Sequence, residues 1–238
     1  MLFEFTIIVP VYNEEANLER LEKELLTFIN SSKTATKVLF VNDGSTDGSQ
    51  ISIAAICDRN PNFNFLLFDN NYGLSAALKA GFDYADTELV GYIDSDLQTS
   101  PKDFNLLLEH ITNHELVTGV RTNRNDSFIK KTASATANRI RRKFTKDGID
   151  DTGCPLKVIR TENAKRIPMF KGLHRFLPAM ILLQGGRVKQ ISVQHFPRVA
   201  GTSKFGIGNR LLGPLSDCFV YLWMKKKYIN YHVIDSKL

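Results

Sequence analysis

Two aspartates, Asp94 and Asp96, stand one residue apart at the end of an apolar segment, in the stretch ELVGYIDSDLQTSP. Side chains two positions apart in an extended chain point the same way, so these carboxylates repel each other. A hard divalent cation such as Mg²⁺ or Mn²⁺ removes the conflict, because it prefers oxygen ligands and keeps positions open for phosphate oxygens and water. Gln98 continues the alternation and offers a third oxygen. The alternative is a pair of ordinary loop acids.

The elements that must position this pair are indicated by alternating hydrophobicity in the first half of the chain. Apolar runs of about five residues alternate with amphipathic segments, a pattern typical of an α/β fold with a mostly parallel sheet flanked by helices. The predicted strands are 5–12, 37–43, 63–69, 89–94 and 114–120, and the predicted helices are 14–30, 46–60, 73–85 and 100–112.

Polar residues follow the first two predicted strands as well. Tyr12, Asn13 and Glu14 come after the first strand, and Asn42 and Asp43 come at the end of the second. Ligands of open α/β sheets bind beyond the carboxyl ends of the strands, so we expect these groups to converge on one crevice. The alternative interpretation is structural, since Asp and Ser are also common in turns and helix caps.

The pattern changes after Val120. Residues 121–151 are polar and basic, which predicts a loop followed by a helix, and residues 201–210 form a glycine-rich basic loop. The remaining predicted elements are strands at 154–160 and 187–198 and helices at 174–186 and 209–227.

Composition limits the class of protein. The chain has 238 residues, 43% of them hydrophobic, which suits one compact domain. No run reaches the ~18–20 apolar residues that span a bilayer, and the N-terminal segment lacks the features of a secretory signal, which predicts a cytosolic protein. The three cysteines are far apart, without the spacing of a metal site or a disulfide framework.

Charge divides the chain into two halves. Residues 1–120 hold 7 Lys and Arg against 18 Asp and Glu, a net charge of −11. Residues 121–238 hold 24 Lys and Arg against 7 Asp and Glu, a net charge of +17. Basic surface attracts nucleic acid, anionic lipid or phosphorylated ligands. Nucleic acid is disfavoured because the basic segment RIRRKF carries a single aromatic residue, Phe144.

Four segments together resemble glycosyltransferase family 2: TIIVPVYNEEANL, VLFVNDGSTDGS, NYGLSAALKAGFDYA and GYIDSDLQTSP. Later segments, DDTGCPLKVIR, HRFLPAMILLQGG and HFPRVAGTSKFGIGNR, resemble its polyprenyl-phosphate branch, which is similar to dolichyl-phosphate mannose synthase and to bacterial undecaprenyl-phosphate sugar transferases. A dinucleotide-binding oxidoreductase is disfavoured by PVYNE, which stands where Gly-x-Gly-x-x-Gly would follow the first strand.

The resemblance implies a metal-dependent enzyme of GT-A (Rossmann-like) fold that uses a nucleotide-diphosphate sugar, UDP- or GDP-linked. Its nucleotide-sugar contacts would be Pro10, Tyr12, Glu14, Asp43 and Asp94. Mg²⁺ or Mn²⁺ would be held by Asp94, Asp96 and Gln98.

The acceptor implied by the resemblance is a polyprenyl monophosphate. Arg121 and Arg198, with Asp94 and Asp96, would be the catalytic residues. Asp151 and Thr152 would line or brace the acceptor pocket. The residues implied to bind the acceptor phosphate are Arg121, Lys130, Lys131, Ser134, Arg198, Ser203 and Lys204.

A phosphate acceptor does not require a general base. The second pKa of a phosphate monoester is about 6, so the nucleophile is already anionic near neutral pH. The alternative is transfer to a saccharide or lipid hydroxyl, which requires a base; Asp150 and Asp151 are the candidates.

The last predicted helix suggests how the protein reaches its acceptor. Aromatic and aliphatic residues precede Lys225–Lys227, a pattern typical of an interfacial helix on anionic lipid, although packing on the protein core or against a second copy is the alternative. We therefore predict a GT-A domain at 1–205, with a nucleotide and metal half (1–120) and an acceptor half (121–205). Residues 206–238 would form a membrane-associating amphipathic helix and tail at the cytoplasmic face.

Overall fold

The computed structural model describes residues 3–122, 141–197, 212–230 and 234–235. Side chains of residues 212–215 are outside this description. Within it, seven strands form one sheet in the order β3-β2-β1-β4-β6-β5-β7. The strands are β1 (Phe5–Val11), β2 (Thr36–Asn42), β3 (Phe63–Leu67), β4 (Leu89–Tyr92), β5 (Leu116–Arg121), β6 (Lys157–Arg160) and β7 (Val188–Val193).

Most helices occur where hydrophobic periodicity predicts them, although several are shorter than predicted, and the short helix at Thr161–Lys165 was not predicted. They are α1 (Glu15–Ser31), α2 (Ser49–Arg59), α3 (Leu74–Tyr84), α4 (Phe104–Leu108), α5 (Thr161–Lys165), α6 (Leu177–Leu183) and α7 (Leu212–Lys227), and residues 141–145 are also helical. The single helix predicted at 100–112 is wrong in detail: short 3₁₀ turns at Pro101–Asp103 and Ile111–Asn113 flank α4.

The prediction of a mostly parallel sheet is confirmed. β1 pairs in parallel with β2 and β4, β2 with β3, and β5 with β7. β6 runs antiparallel to β4 and β5 and lies between them. Because β6 is reversed, its first residue, Lys157, lies at the sheet edge where β4 and β5 end.

Helices cover both faces of the sheet. Alternate residues of β1 point to opposite faces: Ile7 and Val9 pack with side chains from α1, α2 and α4, whereas Ile8 packs with α3 and α6. The second face also receives Cys218 and Tyr221 of α7. With both faces buried, β4 is continuously apolar, and β1 is apolar except for Thr6, whose hydroxyl is hydrogen-bonded to that of Thr87. This buried sheet is the rigid base from which the polar loops project.

Candidate active site

The carboxyl ends of β1, β2 and β4 lie side by side. Val11 pairs with Asn42 in the parallel register of β1 and β2, and Ile8 pairs with Tyr92 in that of β1 and β4. The chain leaving each strand therefore enters the same edge of the sheet. Pro10, Tyr12, Glu14, Asp43 and Asp94 all lie at this edge, as the sequence predicts.

Hydrogen bonds join the loops that follow β1 and β2. Asn13 adopts a left-handed backbone conformation (φ 52°), its N–H donates to Ser45 Oγ at 3.0 Å, and its Oδ1 accepts from Thr46 N at 2.7 Å. Glu14 N donates to Ser49 Oγ at 3.0 Å. These bonds fix the position of both loops before any ligand arrives. Sequence reasoning named Asn13 only as a polar residue at the end of a strand.

The Asp43 carboxylate connects β2 to the start of α3. Its two oxygens accept the N–H groups of Tyr72 and Gly73 at 2.7 and 2.8 Å. Burial raises the pKa of Asp43, and the two backbone hydrogen bonds only partly oppose that effect. In this arrangement Asp43 holds the first turn of α3. Its predicted contact with the nucleotide stays a prediction.

Gly44 allows the loops after β2 and β3 to approach each other. Its φ is +67°, and a Cβ built on it would lie 2.4 Å from the carbonyl carbon of Asn70. A side chain at this position is therefore excluded by backbone conformation and by contact.

The acidic turn after β4 contains the predicted metal ligands. Asp94 is half-buried, while Asp96 is only 6% exposed and its Oδ1 accepts Gln98 N at 3.2 Å. Gln98 O accepts hydrogen bonds from Phe196 N at 2.9 Å and His195 Nδ1 at 3.1 Å. The turn is thus anchored to the segment that follows β7, two residues before Arg198.

The donor chemistry of this turn fits a hard divalent cation. Asp94, Asp96 and Gln98 offer only oxygen ligands on the side chains, as Mg²⁺ and Mn²⁺ prefer. Within the described ranges there is no group of three or more His, Cys, Asp and Glu side chains of the kind that encloses a metal.

Arg121, at the end of β5, forms a buried bidentate ion pair with Asp151. Nε lies 2.7 Å from Oδ2 and Nη2 lies 2.9 Å from Oδ1, with side-chain exposures of 13% and 9%. Burial alone would raise the pKa of Asp151, but hydrogen bonds and charge from Arg121 outweigh it and lower that pKa. The predicted role of Asp151 in the acceptor pocket stays a prediction.

A second cation, Lys157, lies fully buried beside this pair. Its ammonium group donates to Cys154 O and to Thr152 O (3.4 Å), and it lies 5.3 Å from the centroid of the Tyr92 ring. Burial lowers the pKa of Lys157. Sequence reasoning missed this residue; the signal was a lysine inside the otherwise apolar segment PLKVI.

His174 connects the segment before α6 to α3. Its Nδ1 lies 2.9 Å from Ser75 Oγ, which also accepts Gly172 N at 3.1 Å. Burial lowers the pKa of His174 to about 3, so the ring is neutral at physiological pH. Ser75 follows the backbone amides that Asp43 binds, so a continuous set of contacts links β2, α3 and the GLHRFLP segment.

Several predicted acceptor residues fall outside the described residues: Lys130, Lys131, Ser134, Arg198, Ser203 and Lys204. The alternative base Asp150 is described: it is exposed and forms an ion pair with Arg142 at 2.8 Å.

Comparison with known proteins identifies the family to which this chain belongs. Residues 6–167 match the model of glycosyl transferase family 2. This chain belongs to glycosyl transferase family 2. The family 2 chain is also 30% identical to the dodecaprenyl-phosphate galacturonate synthase of Rhizobium johnstonii over 239 aligned residues, which cover 98% of this chain and 71% of that protein. The resemblance found in the sequence motifs is therefore confirmed.

Solved glycosyltransferase structures confirm the GT-A fold. The glucosyl-3-phosphoglycerate synthase of Mycobacterium tuberculosis, solved with Mn²⁺, UDP and glucosyl-3-phosphoglycerate, superposes with a TM-score of 0.68 at 14% identity, covering 94% of this chain and 78% of that one. A mannosyltransferase from Pyrobaculum calidifontis, solved with GDP-mannose and Mn²⁺, gives 0.64 at 18% identity, covering 92% and 63%.

Proposed function

We propose that this family 2 glycosyltransferase moves a sugar, with inversion, from a nucleotide-diphosphate sugar to a polyprenyl phosphate used in building or modifying the cell envelope. The observation that carries the proposal is the arrangement at one sheet edge of an acidic turn, Asp94 and Asp96, and a buried cationic group, Arg121 with Lys157. The name of the Rhizobium relative, a dodecaprenyl-phosphate galacturonate synthase, supports the same acceptor class.

The donor's diphosphate is assigned to the acidic turn. Asp94, Asp96 and Gln98 would hold Mg²⁺ or Mn²⁺, and the two solved neighbours, both complexed with Mn²⁺, support a divalent cation. When bound, such a cation offsets negative charge on the leaving diphosphate. The nucleoside, either uridine or guanosine, is assigned to Pro10 near the end of β1 and to Tyr12 and Glu14, which follow that strand.

The nucleophile is assigned to an oxygen of the acceptor phosphate. That oxygen forms a bond to the anomeric carbon, the bond from this carbon to the donor phosphate breaks, and the electron pair leaves with the nucleoside diphosphate. No proton has to be removed, because a phosphate monoester is largely dianionic near neutral pH. The chain's task is to hold two anionic groups in line, which requires cations and positioning.

The two candidate bases are poorly suited to the alternative reaction on a hydroxyl. Arg121 binds both carboxylate oxygens of Asp151 and lowers its pKa. Asp150 lies on the surface and pairs with Arg142. A general base functions best with a pKa near the working pH, and the pKa of Asp151 is shifted in the opposite direction.

The remaining cations of the acceptor half complete the proposal. Arg198, Ser203 and Lys204 are assigned to the phosphates from the segment that follows β7, whose described part is bonded to Gln98. Lys131 and Ser134, in the basic segment of the sequence after β5, are assigned to the acceptor phosphate. The acceptor places the enzyme at the cytoplasmic membrane face, where nucleotide sugars are available. Among the described helices, none has the length and hydropathy needed to cross a bilayer.

A donor and acceptor screen tests this function. Purified protein is incubated with UDP- and GDP-sugars, beginning with UDP-galacturonate, plus undecaprenyl phosphate or undecaprenol, with Mg²⁺, Mn²⁺ or EDTA. We expect mass spectrometry to detect a sugar-linked undecaprenyl phosphate only when the phosphorylated acceptor and a divalent cation are both present. Transfer to undecaprenol at a comparable rate would overturn the proposed mechanism.

Binding provides a readout that does not depend on turnover. Titration of UDP or GDP by calorimetry should show tighter binding with Mn²⁺ present in the wild type. We expect Asp96→Asn to abolish that dependence on Mn²⁺. An unchanged dependence would contradict the metal assignment.

A further inference from the structure

α7 has two faces of different environment. Cys218 and Tyr221 point inward, each 2% exposed, and the Tyr221 ring stacks on Phe176 with centroids 5.4 Å apart. Asp217 adds an ion pair to Arg175 at 3.4 Å. The inward face therefore fixes α7 to the domain, which agrees with one of the two alternatives left open by the sequence.

The outward face of α7 is apolar although it faces solvent. Phe219, Val220 and Trp223 are 58%, 43% and 64% exposed. Lys226 and Lys227 are exposed as well. At 3.6 residues per turn, these five positions fall within an arc of about 120°. Packing on the core thus leaves a stripe of aromatic and aliphatic side chains beside two ammonium groups.

A second segment extends this stripe. The ring of Phe144 contacts Phe219 edge-on, with centroids 5.5 Å apart and planes at 69°. Arg142, Lys143 and Lys146, on the same short segment, are exposed. The nearby acids are largely engaged: Asp147 is buried against Arg141, Asp150 pairs with Arg142, and Asp217 pairs with Arg175. The surface therefore carries a net positive charge around an aromatic centre.

We propose that this docking face binds the surface of an anionic lipid bilayer. It consists of Phe144, Phe219, Val220 and Trp223 together with Lys143, Lys146, Lys226 and Lys227. The inference rests on the proposed function, because a prenyl phosphate acceptor resides in a bilayer.

Charge complementarity selects the bilayer over a second copy of the chain. Exposed aromatic side chains surrounded by lysines match the boundary between headgroups and acyl chains of an anionic membrane. Two copies meeting through this face would bring the same lysines together, with like charges opposed. The inward anchoring by Tyr221 keeps the face rigid, so little conformational freedom is lost on binding.

Vesicle sedimentation tests the docking face directly. We expect wild-type protein to bind vesicles of phosphatidylcholine with roughly 30–40% phosphatidylglycerol, a composition of the charge that polybasic surfaces need, and to bind pure phosphatidylcholine weakly. Lys226→Gln/Lys227→Gln should weaken binding about 30-fold, since each lysine near an anionic surface contributes about a factor of five. Phe219→Ser/Trp223→Ser should weaken it at least as much.

Matched controls carry the same chemical changes elsewhere. Lys23→Gln/Lys33→Gln removes two exposed lysines near α1, and Ile51→Ser removes an apolar side chain that is 78% exposed on α2. Both controls should bind as wild type does. Equal losses in controls and docking-face variants would overturn the proposal, as would a change from dimer to monomer in Phe219→Ser with unchanged vesicle binding.

Two acceptors separate this proposal from the proposed function. The docking-face variants should lose transfer to long-chain polyprenyl phosphate embedded in vesicles but retain transfer to a short, water-soluble prenyl phosphate. Loss of both activities would place the effect at the catalytic site and overturn the docking face. Vesicle binding by a wild type that transfers to neither acceptor would refute the proposed function and leave the docking face supported.

Discussion

Asp43 and Asp151 are both nearly buried, at 4% and 6% exposure, yet their pKa values shift in opposite directions. Asp43 is held by two backbone N–H groups, and burial raises its pKa. Asp151 is held by the guanidinium of Arg121, and its pKa is lowered. At Asp43 the two neutral dipoles only partly replace the lost hydration of the carboxylate, whereas at Asp151 the paired full charge more than replaces it.

The difference separates the two sides of the site. On the side that we assign to the donor, Asp43 and Asp96 accept hydrogen bonds from backbone N–H groups, which carry no net charge, and this arrangement is the basis for assigning a cation there. On the side that we assign to the acceptor, the charge of Asp151 is balanced within the fold by Arg121, and the amino group of Lys157 lies close by. Substitutions on both sides test this comparison.

The largest effect is expected from Asp96→Ala on the donor side. Loss of a metal ligand should reduce the transfer rate by roughly 10³-fold, because charge on the leaving diphosphate is no longer offset. Steady-state assays at saturating Mn²⁺ measure it, with Asp86→Ala, an exposed residue that precedes β4 and pairs with Lys37, as the control. Near-normal transfer by Asp96→Ala would contradict the assignment of Asp96 as a metal ligand.

On the acceptor side, Asp151→Asn should lower the free energy of unfolding by about 4 kcal/mol, because it leaves Arg121 charged and buried without its partner. Urea denaturation measures this change. The adjacent exposed pair provides the control: Asp150→Asn should cost below about 1 kcal/mol although it also removes an arginine partner. Equal costs would mean that burial does not distinguish the two pairs.

Substituting two glycines with nearly the same φ, Gly44 and Gly148, tests how tightly the backbone is packed around each of them. Gly44→Ala should cost about 3 kcal/mol, the sum of left-handed strain and a backbone clash with Asn70. Gly148→Ala, at φ +68° with nothing within 4 Å of the added Cβ, should cost only about 1 kcal/mol. Thermal and urea unfolding provide both values, and a reversed order would contradict the close packing of the donor loops.

The last prediction is a difference in the sign of the pH dependence of the free energy of unfolding. The lowered pKa of Asp151 means that the advantage of wild type over Asp151→Asn is present above the unfolded pKa of about 3.9 and is lost as pH falls through the folded value. The raised pKa of Asp43 means that wild type loses stability relative to Asp43→Asn as pH rises from about 3.9 through the folded value. Urea titrations between about pH 3 and 7 should therefore show that the difference in free energy of unfolding between wild type and variant changes with pH in opposite directions for the two residues. Changes in the same direction would contradict the comparison.

Much of the donor side was predictable because its residues follow strands directly. A strand's end and the residue after it are local properties of the sequence, so Asp43, Asp94 and Asp96 could be placed at one edge from periodicity alone. Less of the acceptor side was predictable. The insertion of the reversed strand β6 between β4 and β5 brings Lys157 to that edge, and no local pattern reveals a strand's neighbours.

α7 also combines features that the sequence predicts with features that only the tertiary structure reveals. Its apolar residues occur almost all round the helix, so periodicity could not say which of them pack inward. Contacts with Phe176 and Arg175 bury Tyr221 and leave Phe219 and Trp223 outside.

By itself the sequence determined the α/β class, the order of elements, the family and the acidic turn, because each depends on residues close together in the chain. Only the tertiary structure decided the partners of the charged groups: Arg121 with Asp151, Lys157 with the carbonyls of Thr152 and Cys154, and Asp43 with the first turn of α3. Those pairings join segments up to about 30 residues apart. Their strength depends on how much water the packed sheet and helices exclude, which no single segment of the sequence specifies.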